Sequence, residues 1–217
     1  MMRQAILSLL MIVIFWGCEE RMKRVTIPTE EVETIEKPSL EPPKPEVFTV
    51  EDLAEIANKG SLESTFSEGK IEKEVISVNE GMDHVKVIWL NKGEKDEVRI
   101  DFRPKDSTKV SRVSVEGREN KFGSRTGVKP GMSIDEVNST NRKPVDFFGF
   151  NWDFAGVVKF NEGKLENKGL FVFFKTDKKY GKRFMGDTPH TFEEAKEANL
   201  ELFVNKIVYE PAKSNKL

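Results

Sequence analysis

Eight short apolar segments lie between residues 74 and 209, and they restrict this 217-residue chain to a sheet-rich fold. The clearest alternates apolar and polar residues, so that Val85, Val87 and Trp89 would share one face, the candidate core face. Such alternation is typical of a half-buried β-strand, in which successive side chains point to opposite faces. The predicted strands are 74–78, 85–90, 98–102, 110–115, 145–150, 157–160, 170–175 and 203–209.

Three segments carry the start signal of a helix, in which a hydroxyl residue precedes an acidic residue by three positions. The hydroxyl residues are Thr49, Ser133 and Thr191. Each hydroxyl can accept a bond from an early helical N–H, and a glutamate at the third position can bond back to the cap. The predicted helices are 50–59, a short one after residue 133, and one from 192 to about 201.

Turn signals connect the predicted strands. Residues 91–94 are typical of a hairpin turn, and 161–164 predict another, in which Gly163 can adopt a positive φ. Strands outnumber helices by more than two to one. We therefore predict an α+β fold with a mostly antiparallel sheet and two or three short helices packed on one side. The globular part is assigned to 48–217, and a division into 48–120 and 121–217 is left open.

The beginning of the chain is typical of a secretory signal peptide. Arg3 precedes an apolar run from residue 5 to residue 16, which is too short for a membrane span of ~20 residues. Cys18 ends this segment and is the single cysteine, so the chain cannot form an internal disulfide. Residues 1–17 are predicted to be a signal peptide. The alternatives are an uncleaved signal anchor or cleavage at another position.

Gly17 and Cys18, placed after this apolar run, resemble the acceptor site of bacterial lipoproteins, in particular those of the Bacteroidetes type. Trp16 is bulkier than the residue usual at its position. The resemblance implies that Cys18 carries acyl chains such as palmitate and becomes the new N-terminus. Two acyl chains anchor a protein stably, so we expect the chain on a membrane of the cell envelope. The outer membrane is preferred over the inner one, with the domain facing the periplasm or the cell surface.

Residues 18–47 have the composition of a disordered tether. They contain five of the ten prolines and many glutamates, without any hydrophobic period. Such a segment cannot bury enough apolar surface to fold, and its prolines favour an extended chain. The alternative is a ligand for a proline-recognising partner.

A second resemblance covers Gly131–Pro144. Gly131 and Met132 precede the cap residue Ser133, and a proline follows the helix. This segment resembles the core motif of the small outer-membrane lipoprotein of the β-barrel assembly machinery, and related two-layer α/β modules. With the Gly-Phe-Asn-Trp-Asp segment at 149–153, the chain also resembles uncharacterised Bacteroidetes-type envelope lipoproteins. These resemblances imply a non-enzymatic binding or scaffolding module.

The aromatic segment 147–154 is the candidate binding surface. A continuous strand would place the aromatic residues at 148, 150, 152 and 154 on one face and residues 149, 151 and 153 on the other. An exposed aromatic platform with polar neighbours suits a peptide, glycan or lipid. The alternative is a core strand with a buried aromatic face, in which Gly149 makes room for a neighbour. The candidate residues are Phe148, Phe150, Asn151, Trp152 and Asp153.

Charge and motif content argue against several functional classes. The formal net charge is −2, so no basic excess indicates nucleic acid. His84 and His190 are too far apart in sequence for a helical zinc motif, and both are predicted to be solvated boundary residues. No nucleophile elbow and no phosphate loop occur, so we assign no catalytic residue, metal or cofactor.

The sequence thus predicts a lipid-anchored envelope protein whose domain binds an envelope protein, peptide or glycan. The lack of a catalytic constellation favours a non-enzymatic role, although activity is left open. One alternative is an envelope hydrolase that uses carboxylates, with Asp153 or Glu162 as candidates. The other is a purely structural domain.

Overall fold

The computed structural model describes residues 48–212. This part contains four helices and nine strands, and the predicted α+β class is confirmed. The predicted signal peptide, Cys18 and the predicted tether lie outside the described residues, as do residues 213–217.

Six antiparallel strands form the main sheet, in the order β1-β2-β3-β4-β9-β7. Strands β7 and β9 come late in the chain but lie beside β4, so the sheet takes strands from both sides of residue 120. These strands are β1 (Ile71–Val78), β2 (Asp83–Leu90), β3 (Val98–Arg103), β4 (Asp106–Glu116), β7 (Leu170–Lys175) and β9 (Phe203–Tyr209).

A smaller sheet of three short strands has the order β6-β5-β8. Its central strand ends where the aromatic segment begins to turn, so this sheet positions the candidate binding surface. The three strands are β5 (Asp146–Phe148), β6 (Val158–Lys159) and β8 (Pro189–His190). Strand β8 was not predicted, because two residues are too few to show a period.

The four helices are α1 (Val50–Asn58), α2 (Leu62–Thr65), α3 (Ile134–Asn141) and α4 (Phe192–Glu197). The three predicted N-caps are confirmed, and in each the hydroxyl oxygen accepts the N–H three residues later at 3.2–3.3 Å. In all three, the backbone N–H of the cap residue donates in return to the acidic side chain, including α1, where the acid is an aspartate. The third predicted helix is too long, because Asn199 turns the chain with a φ of 50°.

One face of the main sheet packs against the helices and forms the core. Ile88, Ile100 and Val113 lie side by side on adjacent strands, and all three are buried. Leu53 of α1 is fully buried against this face. Burying one such side chain contributes ~1.5–3 kcal/mol. On β2 it is Ile88 and Leu90 that belong to the core cluster, so the prediction that Val85, Val87 and Trp89 form the core face is wrong. Val87 and Trp89 pair with residues of the opposite face of the sheet.

The opposite face of the main sheet carries charged pairs. Asp101 is almost fully buried there, and its carboxylate accepts bonds from Arg99 at 2.8 Å and Arg112 at 2.9 Å. The indole N–H of Trp89 donates to Glu74 at 3.1 Å. A buried carboxylate is tolerated when it is paired and hydrogen-bonded, and here it is bonded on both sides.

The first described residues are held by a loop from the middle of the chain. Thr49 and Gly123 form a parallel bridge, and the Val50 N–H donates to the Gly123 carbonyl at 2.9 Å. The buried carboxylate of Glu51 accepts the Ser124 hydroxyl at 2.6 Å and the Arg125 backbone N–H at 3.0 Å. These bonds fix the start of α1 to the loop that precedes α3.

Candidate functional site

The aromatic segment leaves the strand earlier than predicted. Strand β5 ends at Phe148, whereas the sequence predicted a strand from 145 to 150. The chain then turns back, because Asn151 has a φ of 65° and the Gly156 N–H donates to the Phe148 carbonyl at 3.2 Å. An alternating aromatic pattern does not reveal this turn, since the pattern continues after the strand ladder has stopped.

Gly149 lies where a neighbouring segment approaches the backbone. A Cβ at this position would lie 2.6 Å from the Gly186 carbonyl oxygen, so a larger residue does not fit. The next residue is bonded to the same segment, since the Phe150 N–H donates to the Phe184 carbonyl at 2.7 Å and the Gly186 N–H donates to the Phe150 carbonyl at 2.8 Å. This close approach agrees with the interpretation of Gly149 as a residue that makes room for a neighbour.

Phe148, Trp152 and Phe154 form a surface cluster that we call the aromatic ridge. Ring centroids are 5.8 Å apart between Phe148 and Trp152 and 5.3 Å apart between Trp152 and Phe154, both in edge-to-face geometry. The indole N–H of Trp152 donates to the Gly149 carbonyl at 2.9 Å, which fixes the ring. Phe154 is 59% exposed at the end of the ridge.

Phe150 does not belong to this ridge, so the prediction that it shares a face with residues 148, 152 and 154 is wrong. Its ring is buried 5.9 Å from Phe147 and 4.9 Å from Tyr180. The alternation of side chains between the two faces of the strand is lost at Gly149, directly after the end of β5. Phe147 and Phe150, three residues apart, therefore point into the core together.

A cleft of about 400 Å³ lies beside the same loop, and we call it the Asn151 cleft. Phe150, Asn151 and Asp153 line one side of it, and both polar residues are exposed. The other side comes from β7, β9 and the residues that follow β7, including Tyr180. The Tyr180 hydroxyl donates to the Asn151 side-chain oxygen at 3.0 Å and joins the two sides.

The charges in the cleft balance one another. Lys206 lies 3.5 Å from Glu116, and the Asn205 amide donates to the same carboxylate at 3.3 Å. Asp153 and Lys175 bear opposite charges and form no ion pair with another residue between 48 and 212. The cleft therefore has no net charge, and it offers one carboxylate and one ammonium group to a ligand.

The two carboxylates proposed for a hydrolase belong to different features. Asp153 lines the cleft, whereas Glu162 lies outside its lining on the 161–164 turn. The Glu162 side chain is 93% exposed, 3.8 Å from the ammonium group of Lys143. The other acid in the cleft is Glu116, which the sequence did not single out.

The two histidines lie in different surroundings. His84 is exposed on β2, as predicted. His190 is only 5% exposed and packs against the rings of both Phe147 and Phe184, so its prediction as a solvated residue is wrong. Within residues 48–212, no group of three His, Cys, Asp or Glu residues is arranged to hold a metal ion.

Comparison with known proteins adds no family to these observations. No family model, no curated protein and no solved structure matches this chain. In the part of the chain that the structure describes, no helix has the length and apolar character needed to cross a membrane.

Proposed function

We propose that this chain is a cell-envelope lipoprotein, anchored through Cys18, whose α+β domain is a non-enzymatic module that binds an envelope protein. The aromatic ridge, with Phe148 and Trp152 half-buried and Phe154 exposed, carries this proposal. Contiguous apolar patches on monomeric proteins often mark interaction sites, and aromatic residues are enriched at the centres of protein interfaces. Phe154 is 59% exposed, and Met185, whose backbone bridges to Phe150, is 43% exposed nearby.

The rigidity of the ridge supports a binding role. Trp152 is held by its bond to Gly149, and Phe148 belongs to β5, so two of the three rings are positioned before any partner arrives. A pre-positioned aromatic group loses little side-chain entropy on binding.

The anchor is tested by the variant Cys18→Ser. We expect the natural protein to incorporate labelled palmitate and to sediment with envelope membranes, because two acyl chains hold a protein stably on a bilayer. The variant should lose the label. Retention of labelled palmitate by Cys18→Ser would disprove lipidation at this residue.

The ridge is tested by photo-crosslinking in the living cell. A photoreactive residue replaces Phe154, and the matched control replaces Val75, which is 70% exposed on β1. We expect a discrete envelope-protein adduct at position 154, which the additional change Trp152→Ala removes. The same adducts at both positions, or none at position 154, would contradict a docking role for the ridge.

A carboxylate hydrolase is the second candidate, because Asp153 and Glu116 line the same cleft. Activity against a panel of chromogenic glycosides and esters tests it. Turnover that disappears in Asp153→Asn, while Glu162→Gln remains active, would favour the hydrolase. Absence of turnover would favour the binding module.

A further inference from the structure

We infer that the Asn151 cleft is a second binding site, and that it takes an uncharged saccharide. The site is distinct from the aromatic ridge, because none of the three ridge residues lines the cleft. This inference does not depend on the lipid anchor or on a protein partner. It rests on the size of the cleft, its polar groups, its charge balance and the contacts that fix it.

The size of the cleft suits a small ligand. Its volume of about 400 Å³ lies within the range of ~300–1,000 Å³ found for small-molecule sites. Its sides come from a loop at 150–155, from strands β7 and β9, and from Tyr180, so a ligand would be held between separate segments. Most of the side chains that line it are polar or charged, which suits a ligand that makes many hydrogen bonds.

The polar groups suit a ligand rich in hydroxyl groups. Asn151 uses its side-chain oxygen to accept the Tyr180 hydroxyl, which leaves its two amide N–H groups for the cleft. Asp153 offers a carboxylate with two accepting oxygens, and Lys175 offers an ammonium group with three donors. Neighbouring hydroxyls on a sugar ring can both donate and accept, so they can bond to all three groups.

Aromatic rings supply the apolar part of the cleft. Phe173 is half-buried on β7 and lines the cleft together with Tyr180. A sugar ring has C–H groups on its faces, which pack against aromatic rings while the hydroxyls point outward. A ligand without such a face would leave these rings in contact with water.

The charge balance gives no advantage to a saccharide with a net charge. An acidic sugar would be attracted by Lys175 and repelled by Asp153, and a basic sugar would meet the reverse. The Lys206–Glu116 pair neutralises itself at the same wall. A ligand without net charge can approach both free charges and bond to each of them.

The cleft is organised before a ligand binds. Asn151 is held in the left-handed region at a φ of 65°, a conformation that asparagine tolerates better than most residues. Its bond to Tyr180 then fixes the amide. The bond also ties the loop to the segment after β7, and a site fixed in this way loses less entropy on binding.

Binding to a printed array of defined neutral, acidic and basic oligosaccharides, followed by calorimetry with each retained sugar, tests this inference. Full-length protein in detergent micelles is used. Asn151→Gly removes the amide but tolerates the positive φ, and Asn199→Gly is the matched control, since Asn199 has a φ of 50° at an exposed position outside the cleft. We expect one or more neutral oligosaccharides to bind, with affinity reduced about tenfold or more by Asn151→Gly and by Asp153→Ala.

Asn199→Gly should bind with unchanged affinity, and thermal melting should show that all variants remain folded. The inference is overturned if no neutral oligosaccharide binds, if charged sugars alone bind, or if Asn151→Gly binds as tightly as the natural protein. A failure here leaves the ridge untouched, because the crosslink at position 154 reports on a different surface.

Discussion

The side-chain amide of Asn141 lies so close to Gly163 that a Cβ on the glycine would be 2.2 Å from both amide heteroatoms. Asn141 is fully buried and donates to the Phe160 carbonyl at 2.8 Å, while its oxygen accepts the Leu165 N–H at 3.1 Å. The end of α3 is thereby joined to the 161–164 turn. Positive φ values in this turn occur at Asn161 and Glu162, so Gly163 is required for space and not for its backbone conformation.

Gly163→Ala should therefore destabilise the domain strongly. The added methyl group must displace a buried amide, and breaking its bonds leaves polar groups unsatisfied at ~1–3 kcal/mol each. We expect a loss of ~2–4 kcal/mol in the free energy of unfolding, measured by urea denaturation. Gly181→Ala is the control, because a Cβ there meets no atom within 4 Å. Equal stability of the two variants would contradict the packing described.

Glu51→Gln should weaken the attachment of α1 to the loop at 123–125. The carboxylate accepts from the Ser124 hydroxyl and from the Arg125 N–H, whereas an amide has only one accepting oxygen. We expect the free energy of unfolding to fall by ~1–3 kcal/mol, since the group is buried. Glu55→Gln, at an exposed position of the same helix, should change it far less. The prediction fails if the order of the two effects is reversed.

The capping box of α3 should make stability depend on acid pH. The Ser133 backbone N–H, and then its hydroxyl, donate to the Glu136 carboxylate and lower its pKa from the usual 4.5. Because the folded pKa is depressed, this contribution is present above pH 4.5 and is lost as the pH falls through the folded value.

Two measurements check the effect of this capping box. Carboxyl resonances followed by NMR should give Glu136 a pKa below 4.5. Denaturation at several pH values should show less acid destabilisation in Glu136→Gln than in the natural protein. The control is Glu193→Gln, an exposed position in the first turn of α4. Identical acid profiles for natural protein and Glu136→Gln would refute the assignment.

His190→Phe should stabilise the small sheet. The Nε2 atom of His190 is buried and has no hydrogen-bond partner among the described residues, while Nδ1 lies 3.5 Å from Glu194. An unsatisfied buried polar atom costs ~1–3 kcal/mol, and a phenyl ring at position 190 would pack against Phe147 and Phe184 without such an atom. We expect a higher melting temperature by calorimetry. A lower one would mean that the contact with Glu194 outweighs the orphaned nitrogen.

The helix starts and most strands could be predicted because they depend on neighbours in sequence. The three caps need only residues three positions apart, and alternation reveals a strand even where it does not reveal the core face. On β2, residues of both faces are buried, among them Val87 and Ile88, so the pattern could not decide between them. Elements that depend on distant contacts were missed. Strand β8 is two residues long, and it exists because β5 lies beside it.

The candidate site was predictable only in part, for the same reason. Asn151 and Asp153 were identified from their own segment, but Tyr180, Lys175 and Lys206 reach the cleft from segments far along the chain. Nothing in the basic run at 178–183 indicated that Tyr180 would bond to Asn151. The break in the aromatic pattern at Gly149 was equally hidden, since it depends on the approach of residues 184–186.

The bridge between Thr49 and Gly123 has a mechanical consequence. Any pull on the chain ahead of Phe48 would act first on this bridge, on the bond from Val50 to Gly123 and on the Glu51 contacts. These bonds would have to shear before the force reached the strands behind them. The ridge and the cleft, which are built from residues after 115, would keep their shape while force acts on the chain ahead of Phe48.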